Sequence, residues 1–153
     1  MARYAEQTSV PSEKSRAEIE ATLRRYGADG FMYGWEHGRA VVAFQMNSRR
    51  VRFDLPMPDS SDPAFTETPT GKERAAAQAE KAWEQACRQR WRALALVIKA
   101  KLEAVESGIT EFEDEFLAHI ALPSGETVGQ WMRPQIAESY RSGGMPSLLP
   151  KPG

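Results

Sequence analysis

The sequence predicts an α+β fold in the order helix, three-stranded antiparallel β-meander, long helix and short C-terminal helices. Two observations carry this. Between Phe31 and Leu55, the turns His37-Gly38 and Asn47-Ser48 separate three runs rich in aromatic and β-branched residues, as consecutive hairpins require. From Lys72 to Ser107 there is neither Pro nor Gly and alanine is abundant, which predicts one continuous helix.

Residues 1–11 are polar and end in Pro11, and they are expected to form an arm outside the fold. The first helix is expected to start near Ser12 or Ser15. Ser15 with Glu18 makes a capping box, Ile19, Leu23 and Tyr26 make a narrow apolar stripe, and Gly27 supplies a left-handed stop. Counting outward from two-residue turns sets Phe31, Tyr33 and Trp35 opposite Phe44, Val42 and Ala40, and those opposite Val51, Phe53 and Leu55. Side chains alternate along a strand, so these residues share one face and form a core layer. The other face collects Gly34, Val41, Ala43, Gln45, Arg50 and Arg52, with Arg39 and Arg49 at the turns.

The stretch 56–71, with Pro56, Pro58, Pro63 and Pro69 among polar residues, reads as a Pro-rich loop and flexible linker. In the long helix, Trp83, Cys87, Trp91, Leu94, Ala95, Ile98, Leu102 and Val105 form an apolar stripe. It packs either on the chain's own sheet or on a second copy, in a homo-oligomer through the long helix. Gly108 ends this helix. Thr110 with Glu113 then predicts a capping box for a short helix that turns Phe112, Phe116, Leu117 and Ile120 inward. Thr127 with Gln130 opens a last helix that kinks or restarts at Pro134 and closes at Gly143-Gly144, before an irregular tail over 145–153. No internal repeat is visible, and the 153 residues are expected to form a single domain.

The net charge of −1 argues against a wholesale polyelectrolyte binder, but charge is segregated. Residues 31–55 balance to +2, residues 72–107 to +3, and residues 110–130 to −5. A lone cysteine, no signal-like start and no long apolar run predict a chain of the cytoplasm without a membrane partner.

Catalytic constellations are scarce. His37 lies in a turn and His119 beside apolar neighbours, so both read as structural, and Cys87 reads as a buried thiol. Glu111, Glu113, Asp114 and Glu115 start a helix, where carboxylates offset exposed amide dipoles, and no matching metal ligands accompany them. No phosphate loop, dinucleotide fingerprint or nucleophile elbow is present. No enzyme, cofactor or metal is expected. The candidate nucleic-acid contacts are Arg39, Arg49, Arg50 and Arg52 around the sheet, with Arg88, Arg92 and Lys99 on one face of the long helix.

The start of the long helix, Gly71-Lys72-Glu73-Arg74-Ala75-Ala76-Ala77, resembles the basic, alanine-rich helix start of double-stranded-RNA-binding domains, although the helix here is far longer. Over residues 3–150, the blocks Arg25-Tyr26-Gly27-Ala28-Asp29, Asn47 to Pro56 and Arg90 to Gly108 resemble a family of small, uncharacterised phage and prophage proteins. That resemblance implies a setting and no mechanism. The leading expectation is a non-enzymatic protein of phage DNA metabolism that binds DNA or RNA. The alternative is an adaptor or inhibitor of host machinery, such as an anti-defence protein, that contacts a host protein through Glu111, Glu113, Asp114 and Glu115.

Overall fold

The computed structural model describes residues 2–145, with the backbone alone for residues 2–12 and Glu36. Beyond Met145, the expected irregular tail lies outside the described residues. The order is α1 (Ala2–Arg25), β1 (Gly30–Glu36), β2 (Arg39–Met46), β3 (Arg49–Pro56), α2 (Pro63–Thr66), α3 (Ala76–Glu106), α4 (Phe112–Glu115), a 3-10 turn at Leu117–His119, and α5 (Val128–Ser142).

α1 starts well before Ser12, so the expected N-terminal arm is helical and Ser15 lies inside a helix rather than at its cap. Ala2, Ala5, Glu6 and Gln7 favour helix, and the helix continues through Pro11. Gly27 ends it as expected. At φ 93° it lets its own N–H reach the Arg24 carbonyl (3.1 Å) and the Ala28 N–H reach that of Leu23 (2.9 Å).

The sheet order is β1-β2-β3, antiparallel, with Phe31 opposite Phe44, Tyr33 opposite Val42, Phe44 opposite Val51 and Val42 opposite Phe53, in the predicted register. Both turns place two residues at positive φ (His37 48°, Gly38 74°; Asn47 52°, Ser48 60°), the twist that two-residue hairpins need. The inner face carries Ala40, Val42, Phe44, Val51 and Phe53, all buried, and packs against Ile19 and Leu23 of α1 and Trp91, Leu94, Ile98 and Leu102 of α3. The stripe of the long helix therefore packs on its own sheet. Tyr33 meets Trp91 at 5.3 Å between centroids, and Phe116 sits edge-on to Phe44 (5.7 Å) and Phe53 (6.4 Å).

Residues 56–71 are folded along the start of α3 rather than acting as a linker. The Trp83 indole donates to the Pro58 carbonyl (2.7 Å), Arg90 donates to that of Pro56 (3.0 Å), and Asp62 caps α2. A buried indole needs an acceptor, and this segment supplies it. Residues Lys72 and Arg74 are drawn into backbone bonds with Thr68 and Thr66, so the long helix begins at Ala76 instead of Lys72. Thr110 does not cap α4: its hydroxyl donates to the Glu111 carbonyl, and Glu111 holds the cap position. Leu117 is exposed, while Phe112, Phe116 and Ile120 are buried. The Thr127–Gln130 capping box forms, and α5 runs through Pro134 without a break to Gly143.

Candidate nucleic-acid interface

Register and alternation lay out the outer face in rows: Gly34–Val41–Asp54, Met32–Ala43–Arg52 and Gly30–Gln45–Arg50. Among the described residues no helix lies across these rows as α1 and α3 lie across the inner ones, and only the start of α5 reaches their Arg52 and Asp54 ends, through Gln130. Instead, the chain crosses the sheet edge, where Ile120 bridges to Val51 and the Ala121 N–H donates to the Arg50 carbonyl (2.8 Å), and turns over one side. The result is a cleft of about 460 Å³. Its floor is Gly34, Val41 and Ala43, and its sides are Met32 and Arg50 facing Leu122, Pro123 and Gly125. Small residues make the floor flat, and a Cβ placed on Gly34 meets nothing within 4 Å.

Arg50 and Arg52 stand two residues apart on this face, yet their environments differ. Arg52 donates to the Gly125 carbonyl (2.6 Å) and to Gln130 Oε1 (2.9 Å), and its Nε lies 3.2 Å from Asp54. Gln130 Oε1 also accepts the Thr127 N–H that opens α5, so the capping box doubles as a strut between α5 and β3. With every arm of its guanidinium engaged and a carboxylate alongside, Arg52 has no charge to spare for a phosphate. Arg50 is exposed, its guanidinium donates to the Met32 sulfur at 3.9 Å, and it has no ion pair among the described residues; Arg39 is likewise exposed and without an ion pair there. Arg49 pairs with Glu113 at 3.3 Å.

Arg88, Arg92 and Lys99 sit on α3, which covers the inner face, so the structure does not bring them together with the sheet arginines. Arg88 bonds to Gln85 on its own helix. The acidic helix is partly neutralised from within, since Glu113 meets Arg49 and Glu115 meets Lys101 at 3.4 Å, while Glu111 and Asp114 are exposed.

His119 stacks on Phe53 with centroids 4.0 Å apart, and burial, with the nearby Lys101 charge, holds its imidazole below its ordinary pKa. Cys87 is buried, and desolvation pushes its thiol up to about 11. Among the described residues, no group of three His, Cys, Asp or Glu is placed to hold a metal ion, and no helix is long and apolar enough to cross a membrane.

Met32 and Asp54 belong to the outer face and are legible by strand alternation. Leu122, Pro123, Gly125 and Gln130 are not, because nothing local in residues 121–130 signals which sheet edge they fold over. Comparison of the chain with family models, with characterised proteins and with solved structures gave no match.

Proposed function

We propose that this chain binds single-stranded nucleic acid on the outer face of its sheet, without catalysing a reaction. The observation that supports this reading best is the cleft floored by small residues, with two exposed arginines on the same face, Arg39 and Arg50, that have no ion pair among the described residues. A base lies on the half-buried Gly34 and Val41, beside buried Ala43, the Arg50 guanidinium stacks or meets the phosphate beside it, and Arg39 takes a neighbouring phosphate. The cleft is the size of one or two nucleotides rather than a duplex groove. The resemblance to small phage proteins supports phage DNA metabolism as the setting.

Anisotropy titrations against single-stranded DNA, single-stranded RNA and a duplex, each at two salt concentrations, test this. Single strands are expected to bind more tightly, with affinity falling steeply with salt. Replacing Arg39 and Arg50 together by Ala is expected to lower the log–log salt slope by about 0.7 per lost phosphate contact. Absence of binding at low salt, or binding indifferent to the double replacement, overturns the reading.

A second reading, a protein-binding adaptor, is favoured by a different observation. No residue of α5 is buried, and Trp131, Ile136 and Tyr140 are exposed along it, while Glu111 and Asp114 face solvent nearby in the chain. A partner that survives nuclease treatment and is lost on Glu111→Lys with Asp114→Lys supports it; disappearance of every partner with nuclease removes it.

A further inference from the structure

We infer that β1 is the contact strand of a homodimer. It pairs antiparallel with a second copy of itself about a twofold axis at Tyr33 and joins two sheets into one of six strands. This inference does not rest on the nucleic-acid reading, although Met32 of the second copy would take part of the space over Gly34 that the reading gives to a base.

β1 pairs with β2 on one side, and among the described residues no strand or bridge takes its other edge. The free edge of β3, by contrast, is bridged at Val51 by Ile120. The Glu36–Arg39 pair closes the two-residue turn, which fixes the alternation of hydrogen bonds. Gly30, Met32 and Gly34 bond toward β2, so the N–H and C=O groups of Phe31 and Tyr33 point to the open edge. Strands left at an edge are normally guarded by lysine, proline or brevity. β1 has no Lys, Arg or Pro over its seven residues.

The side chains fit a second copy of the same strand. With Tyr33 opposite the second copy's Tyr33, all seven residues of each strand are paired. Met32, which is 53% exposed, then lies opposite the second copy's Gly34, where a Cβ position meets nothing within 4 Å. The thioether of one copy fills the space the other leaves. Sliding the register by two residues sets Met32 against Met32 or against Glu36 and leaves residues of each strand unpaired. In the symmetric register Glu36, the one charged residue of β1, faces Gly30, so no like charges meet.

Light scattering or sedimentation of the full chain is expected to give twice its 17.1 kDa mass. Gly34→Lys places a charge where Met32 of the second copy would sit and is expected to halve that mass, with circular dichroism unchanged. A mixture of Met32→Cys and Gly34→Cys chains under mild oxidant is expected to cross-link, while each variant alone is not, because residues facing across a non-hydrogen-bonded pair suit a disulfide. Buried Cys87 stays out of that reaction. A monomer at every concentration overturns the inference. A dimer indifferent to Gly34→Lys, or no mixed cross-link, overturns it equally. If Gly34→Lys fails to fold, the mixed cross-link alone decides.

Discussion

Val42, Phe44, Val51 and Phe53 on the inner face are sealed by α1, α3 and Phe116, whereas Gly34 and Val41, one step along the same strands, lie under no helix among the described residues. One pleat separates the two environments. The inner residues are large and interlocking, so their contribution is measured in stability. The outer residues are small and leave a surface, so their contribution is measured in what that surface receives. The same contrast recurs within a single face, where Arg52 is bound into the α5 strut and Arg50 is left to solvent.

The inner face is the costlier of the two to disturb. Phe44→Ala and Phe53→Ala are each expected to cost about 3–5 kcal/mol in a denaturant unfolding experiment, from lost burial plus the cavity left behind. Losses below about 1 kcal/mol for both contradict the packing. Glycines sharpen the same point. A Cβ on Gly129 falls 2.9 Å from the Ala118 carbonyl oxygen, where α5 crosses the 3-10 turn, so Gly129→Ala is expected to cost about 1–3 kcal/mol. Gly34→Ala on the open face is expected to be neutral or to stabilise by about 0.5 kcal/mol.

The two arginines are expected to separate cleanly. Arg52→Ala leaves the Gly125 carbonyl without its donor and Asp54 with Gln130 alone, and is expected to lower stability by about 1–3 kcal/mol. Arg50→Ala is expected to leave stability within about 0.5 kcal/mol while weakening nucleic-acid binding. Equal effects of the two on stability would contradict the different environments of Arg50 and Arg52.

Much of the fold was legible because its signals are local. Turn residues and aromatic alternation set the register of all three strands, and the Thr127–Gln130 box was readable from its spacing. What escaped depends on partners far along the chain. Arg52 reads as a surface cation until Gly125 and Gln130 are placed beside it, more than seventy residues away. Arg49 and Glu113 read as separate charge clusters for the same reason. The folded course of residues 56–71 depends on Trp83 and Arg90 finding carbonyl partners, which proline content alone does not reveal.

Smaller effects probe the inner face and its turns. The imidazole of His119 has its pKa depressed by burial and is faced by Lys101, Asp54 and the Arg52 backbone. A histidine held below its ordinary pKa is neutral in both states at higher pH, and the unfolded chain binds the proton first as pH falls. Stability is therefore expected to drop as pH falls below the ordinary imidazole range, and His119→Phe is expected to remove that part of the slope in melts recorded against pH. At Ser48, φ 60° strains a residue with a side chain, so Ser48→Gly is expected to stabilise by about 0.5–1 kcal/mol.

The proposed function puts binding on the outer face of the sheet. Amide chemical-shift mapping during titration with a single-stranded oligonucleotide tests it most directly. Perturbations concentrated at Met32, Gly34, Val41, Ala43, Gln45 and Arg50, with Arg88, Arg92 and Lys99 quiet, are the predicted result. Perturbations confined to α3 or α5, with the sheet unchanged, would contradict it.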